Sequence, residues 1–170
     1  MSAQNPNAGF HPYVYELQKQ WGNVESVLML GLGSGMIPKD WLKHAPKLKT
    51  FDAIEINPVV VKAAQRWFAL PNDDRLHVII DDGAHYIAHT TKVYDLVIVD
   101  AYNAEDSIPE EFLTGKFFVD LNKVVASTVV LDLGNNEEGA KMERALSKVF
   151  ASTRTVLLEG GNVKLVFGTK

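Results

Sequence analysis

Apolar runs of strand length recur along the chain, and segments of helical periodicity or mixed character separate them. Strands are expected at Ser26–Gly31, Thr50–Ile56, Leu76–Ile80, Tyr94–Asp100, Thr128–Leu133, Thr153–Leu158 and Val163–Phe167. The continuous apolar character of the early runs is that of parallel strands buried on both faces. The first five are far enough apart for helical crossovers, so they should lie parallel. Only Glu159-Gly160-Gly161-Asn162 joins the last two, which marks an antiparallel hairpin.

The intervening segments carry helix signals. Asn57-Pro58 reads as an N-cap with proline at the first helical position, followed by Val60, Ala63, Ala64, Trp67 and Phe68 as one apolar face. Thr114 should start a helix with Phe117, Phe118, Leu121, Val124 and Val125 inward. Asn136 should cap a helix over Glu137–Phe150, with Met142, Ala145, Leu146, Val149 and Phe150 as its buried stripe. Glu137 and Glu138 favour the positive end of that helix. The expectation is an α/β fold: a three-layer sandwich around a seven-stranded, mostly parallel sheet with a C-terminal antiparallel hairpin. Residues 1–25 form an N-terminal segment of loop plus helix, and 26–170 the main domain. Phe10, Tyr13, Tyr15 and Trp21 in the first segment are expected to be exposed, as a lid or a homodimer contact.

Open sheets of this kind bind ligands at the carboxyl ends of their strands. Four clusters fall there. The first is Gly31-Leu32-Gly33-Ser34-Gly35, whose glycines allow a sharp turn and close approach of a ligand. Met36 sits where a dinucleotide fingerprint would place its third glycine, so the pattern departs from that fingerprint. Pro38 then fits the first turn of the next helix. The second cluster is Glu55 with Ile56, where an acid at a strand tip can accept hydrogen bonds from a ribose diol. As a rim carboxylate, Glu55 should matter to binding and little to stability. The third is Asp82-Gly83, suited to an adenine amino group, or else an Asx cap for Ala84–His89. The fourth is Asp100 with Tyr102 and Asn103. A carboxylate after Val97-Ile98-Val99 is costly unless it is at the rim or paired. There it could orient and deprotonate an attacking amine, or cap Ala101–Asp106. Tyr102 could stack on a cationic amine.

Composition narrows the partners. The chain has 170 residues, 46% of them hydrophobic, and a formal net charge of −4. That charge gives no footprint for nucleic acid or an anionic membrane. Lys39, Lys43, Lys47 and Lys49 are interrupted by Asp40 and read as a solvated face. No cysteine is present, which excludes disulfides and thiolate chemistry. Met1 to Gly9 lacks a signal-peptide core, and no run reaches the ~18 apolar residues of a membrane span, so a cytoplasmic protein is expected. His85 and His89 lie four apart near Asp81 and Asp82, but two ligands without a third do not make a metal site, and no metal is expected.

Together these clusters resemble the spermidine synthase superfamily, with its Rossmann-like class I methyltransferase fold. The resemblance runs from about Tyr13 to Leu133. It rests on Gly31–Gly35, Ala53-Ile54-Glu55-Ile56-Asn57-Pro58, Arg75 to Gly83, Tyr94 to Ala101, and Pro109 to Phe118. It implies that Gly31, Gly33, Ser34, Gly35, Glu55, Ile56, Asp82, Gly83 and Asp100 bind the nucleoside. Asp100 would activate the acceptor, with Tyr102 and Asn103 beside it. Three departures matter. Ser34 stands where synthases carry an aspartate that holds the aminopropyl ammonium. Asn103 stands where they carry a second aspartate. About 25 residues precede the first strand, too few for their N-terminal β domain.

Losing two carboxylates weakens the hold on cationic groups, each contact being worth on the order of 1.5–3 kcal/mol. The resemblance therefore points to S-adenosylmethionine over its decarboxylated form, and to methyl over aminopropyl transfer, to an acceptor the residues do not identify. A nucleoside-binding module without turnover, and an NAD-dependent oxidoreductase resting on Glu55 alone, are the competing readings.

Overall fold

The computed structural model describes residues 12–103, 107–158 and 161–170. Phe10, the loop Met1–Gly9, Asp106 and the turn residues Glu159-Gly160 lie outside the described residues. The sheet has seven strands: β1 (Ser26–Leu30), β2 (Thr50–Glu55), β3 (Leu76–Ile80), β4 (Tyr94–Val99), β5 (Val125–Gly134), β6 (Ser152–Leu157) and β7 (Val163–Thr169). Their order is β3-β2-β1-β4-β5-β7-β6. The first five are parallel, and β7 runs antiparallel to both β5 and β6. This is the seven-stranded, mostly parallel Rossmann-like sheet expected from the strand pattern.

Among the described residues, six α-helices cover the two faces: α1 (Pro12–Gln18), α2 (Met36–His44), α3 (Pro58–Trp67), α4 (Gly83–His89), α5 (Gly115–Val124) and α6 (Glu137–Leu146). Alternation along each strand sorts the core into two halves. Val27, Met29, Phe51, Ala53, Ile98 and Val130 meet α1, α2 and α3 on one face. Leu28, Leu30, Ile54, Val97, Val99 and Leu131 meet α4, α5 and α6 on the other. Side chains of Asn57, Thr114 and Asn136 accept backbone N–H bonds at the starts of α3, α5 and α6, as their sequence positions predict.

Three expectations are corrected. Trp67 and Phe68 are 71% and 53% exposed, because the buried stripe of α3 runs through Val61 and Ala64 instead. The helix after Asn136 ends at Leu146, and Ser147 to Phe150 continue as turns that still bury Phe150. The N-terminal aromatic residues are not uniformly exposed. Tyr13, Val14 and Leu17 form the inward face of α1 and are buried, while Trp21 stacks on His44 and meets Trp41 edge-on.

Among the described residues, one carboxylate of the sheet is fully buried. Asp52 on β2 is fully buried and accepts hydrogen bonds from Tyr94 Oη (2.6 Å), Lys92 Nζ (2.8 Å) and His77 Nδ1 (2.8 Å). It thus ties β2 to β3 and β4. Burial alone would raise its pKa, but the bonds from Lys92, Tyr94 and His77 outweigh burial and hold the carboxyl below its ordinary range. A depressed acid stabilises the fold above its unfolded pKa, and the contribution is lost as pH falls through the folded value. Asp52→Asn should therefore cost about 3 kcal/mol at neutral pH, a buried ion pair being broken. In thermal melts the gap to the parent protein should narrow below about pH 4, where the unfolded carboxyl also protonates. A gap that does not vary with pH would show that the charge is not what Asp52 contributes.

Candidate functional site

The parallel register brings the four expected clusters to one edge of the sheet. Gly31 is the pivot. Its N–H donates to the Ile54 carbonyl at the tip of β2 (2.8 Å), and the Asp100 N–H donates to the Leu30 carbonyl (2.9 Å). Gly31 has φ +95°, and a Cβ there would sit 2.0 Å from the Asp100 carbonyl oxygen. The turn must therefore be glycine at this point to let β1 and β4 close together. A Cβ on Gly33, at φ +55°, would meet nothing within 4 Å, so this is the glycine that faces open space. Gly35 precedes α2 and packs against the Leu70 side chain. Ser34 lies between them, half-buried.

Glu55 follows β2 into this edge. Its Oε2 accepts from the Leu32 N–H (3.1 Å), inside the glycine turn, and its Oε1 accepts from the Asn57 N–H (2.9 Å). Asn57 itself caps α3, so Glu55 is not the helix cap. Two backbone donors fix the carboxylate, and about two of its four lone-pair positions stay available. The same bonds correct the expectation that Glu55 matters little to stability. Ile56 beside it and Ile80 at the tip of β3 are 66% and 58% exposed, apolar side chains at the rim.

Asp82 takes the Asx geometry. Its Oδ1 accepts from the His85 N–H (2.7 Å) and starts α4. Asp81 accepts from the Asp82 N–H and from His85 Nδ1. The Cβ direction of Gly83 is filled by Phe112 (3.0 Å) and Leu30 (3.5 Å), so this glycine answers to protein packing. A cleft of about 380 Å³ between α4 and α5 touches the rim only at Asp82. His85 and His89 stack with ring centres 4.3 Å apart. Among the described residues no group of three metal-ligating side chains forms.

Asp100 leaves β4 beside the glycine turn. The β4–β5 register ends at Val99 and Leu131, so Asp100, just beyond β4, comes near Asp132 of β5. Alternation puts both on the α1 face, with Ile98 and Val130. Burial first, and then the Asp100 charge, push the Asp132 carboxyl up to about 7. Tyr13 of α1 is buried against them. Its phenol is pushed well up, first by burial and then by Asp100 and Asp132. The hydroxyl lies close to the Asp100 carboxylate, which adds to the hold on its proton. Tyr102 donates to the Asp132 carbonyl (3.1 Å), and Asn103 Oδ1 accepts from the Ser107 N–H (2.9 Å). Asn103 thus shapes its own loop.

Sequence reasoning missed two members of this group as site residues. Asp132 lies inside the apolar run Val129–Leu133 and so lacks the strand-end position that marked Asp100. Tyr13 has only helical periodicity to mark it.

Known proteins agree with this architecture. The family profile described as "Spermine/spermidine synthase domain" matches residues 12–157. A polyamine aminopropyltransferase of Vibrio vulnificus (strain CMCP6) is 32% identical over 110 residues, 63% of this chain and 36% of that protein. The eEF1A lysine and N-terminal methyltransferase of Homo sapiens is 27% identical over 157 residues, 84% of this chain and 22% of that protein. The chain thus spans little more than a third of the first of these curated relatives, and less of the second. The crystal structure of human methyltransferase-like protein 13 in complex with SAH superposes with a TM-score of 0.82 at 23% identity, covering 94% of this chain and 82% of that one, a likeness of fold. Among the described residues no helix is long and apolar enough to cross a membrane. With sheet order, glycine turn and profile match in agreement, this chain belongs to the spermine/spermidine synthase domain family.

Proposed function

We propose that the chain is an S-adenosylmethionine-dependent transferase that methylates an amine. The observation that carries this reading is the Glu55 carboxylate, held by the Leu32 and Asn57 N–H groups beside the open side of Gly33. A fixed anion with acceptor capacity to spare, next to a turn that leaves room for a ligand, fits a ribose diol. The exposed Ile56 fits an apolar base face. Asp82, already bonded through Oδ1, keeps Oδ2 for a base amino group.

The donor supplies an electrophilic carbon on a sulfonium. Asp100 takes the proton that the acceptor nitrogen sheds as its bond to that carbon forms and the donor's carbon–sulfur bond breaks toward sulfur. An amine acceptor is supported by the relatives, since an aminopropyltransferase and a lysine and N-terminal methyltransferase both match.

Methyl transfer is favoured by Ser34. An uncharged side chain in the glycine turn neither holds an aminopropyl ammonium nor repels the donor's carboxylate. Aminopropyl transfer is the second reading, favoured by the Vibrio relative. Calorimetric titration with S-adenosylmethionine and its decarboxylated form tests the choice, and tighter binding of the decarboxylated form would reverse it. Ser34→Asp should shift the ratio of the two affinities by about 10- to 100-fold toward the decarboxylated donor, one charged contact of ~1.5–3 kcal/mol.

The nucleoside role has its own test. Glu55→Ala should weaken S-adenosylmethionine binding about 30- to 1000-fold, two charge-assisted bonds being lost. It should also lower stability by about 1–3 kcal/mol, because the Leu32 and Asn57 N–H groups lose their acceptor. Melts and titrations on the one variant read both effects. Lower stability with an unchanged dissociation constant would remove the ribose role. Transfer of labelled methyl to lysine peptides or small amines, abolished in Asp100→Asn, would separate an enzyme from a binding module.

A further inference from the structure

Helices α5 and α6 leave a groove of about 320 Å³ between them, on the face of the sheet opposite α1. Its floor is apolar, with Phe118 of α5 buried and Ala145 and Val149 half-buried beside it. Its rim is basic. Lys141 and Arg144 lie on α6, and Lys148 lies just beyond it, in a turn where its N–H donates to the Ala145 carbonyl (3.2 Å). Spacings of three and four residues put the three cations in one row along the helix, over about 10 Å. All three are exposed. Elsewhere this chain, with its formal net charge of −4, neutralises many of its cations internally. Lys49, Lys92 and Lys164 each meet a carboxylate at 2.6–2.8 Å, and Lys116 and Lys123 share Asp120. Among the described residues, no acid closes an ion pair with Arg144 or Lys148. Lys141 has Glu137, 3.8 Å away and 84% exposed, a contact that water screens. Glu143, next to Arg144, is taken by Lys164 (2.6 Å) and Thr155.

We propose that this groove docks an acidic amphipathic helix of a partner protein, its carboxylates on Lys141, Arg144 and Lys148 and its apolar stripe on Phe118, Ala145 and Val149. Charge complementarity selects the occupant. An apolar floor beside a single row of cations fits a ligand that carries both characters at helical spacing, the helix-in-groove mode of recognition. Carboxylates three and four residues apart on the partner repeat the spacing of the row. A nucleic acid or an anionic membrane answers to a broad basic surface. Here the positive charge is confined, because Glu137 and Glu138 precede the row on α6 and Asp120 lies on the facing helix. A phosphate backbone also brings no apolar stripe to the floor. The groove lies across the sheet from Asp100 and α1, so a docked partner leaves the rim open. The inference does not depend on the transferase reading.

The probe is a fluorescein-labelled, alanine-based peptide of about 15 residues, long enough to be helical, with glutamates at i, i+3 and i+7 and leucines on the adjoining stripe. Fluorescence anisotropy reads its binding to the full chain. The expected result is saturable binding that weakens about tenfold between about 0.05 M and 0.5 M salt. Glutamine in place of the glutamates should weaken it about tenfold, and alanine in place of the leucines by at least as much. Amide NMR shifts on the unsubstituted protein, which need no variant, should cluster on the α5 and α6 residues of the groove. Arg144→Glu combined with Lys148→Glu should abolish binding without changing the thermal melt, because both side chains are exposed. Absence of binding by the glutamate peptide at low salt overturns the proposal. So does equal binding of the glutamine form, or shifts that fall away from α5 and α6. Tighter capture by phosphatidylserine vesicles, lost in the double variant, assigns the row to a membrane and overturns the helical partner. Self-association of the chain that the double variant abolishes assigns the groove to a second copy and overturns it as well. None of these measurements involves S-adenosylmethionine, so the donor reading stands or falls separately.

Discussion

The close approach of the Gly31 backbone to the Asp100 carbonyl is the contact on which the whole rim depends. At 2.0 Å from that oxygen no Cβ can be placed, so β1 and β4 reach this proximity only with glycine between them. The same residue is bonded to the tip of β2 through the Ile54 carbonyl, while Asp100 is bonded back to Leu30. One peptide thus fixes three strand ends in relation to each other. Glu55 adds the next link by bonding the Leu32 N–H. The glycine turn, the acid of β2 and the acid of β4 are consequently parts of one rigid backbone network.

Much of this was legible in the chain because its signals are local or periodic. Largely apolar runs of strand length marked the five parallel strands, and side-chain caps at Asn57, Thr114 and Asn136 marked helix starts. What escaped was set by tertiary packing. Asp52 lies inside an apolar run, and nothing local announces that Lys92, Tyr94 and His77 converge on it. Trp67 and Phe68 have helical spacing with the rest of their stripe, yet α3 buries Val61 and Ala64 and leaves these two in water. Gly83 suggested room for a ligand, whereas its missing Cβ accommodates Phe112, a residue 29 positions away. Asp132 required knowing which strand pairs with β4 and in what register.

The rim carboxylates fall into two physical kinds. Glu55 and Asp82 accept backbone N–H bonds, which fix the orientation of each carboxylate. Such acids recognise neutral donors, hydroxyl or amino groups, without needing a counter-charge. Asp132 is the opposite kind. Its environment offers burial and a neighbouring carboxylate, both of which resist ionisation.

The two kinds are also separated in space. Glu55 ends β2 and Asp82 follows β3, on one side of β1, while Asp100 follows β4 and Asp132 lies near the carboxyl end of β5 on the other. Gly31 lies at the boundary. On the proposed reading the neutral part of the donor occupies the β2–β3 side and the cationic acceptor the β4–β5 side. The sulfonium then sits between them, close to the pivot. That arrangement sets the electrostatic demand on α1. Two like charges near a third positive centre need a low-dielectric cover to act strongly, because interactions between exposed charges are screened by water. α1 supplies that cover by burying Tyr13 and Leu17 against the sheet, and Gln18 tethers it to Asp40 of α2 (3.4 Å). The helix that the sequence offered as a lid is, on this reading, a fixed wall of the acceptor side.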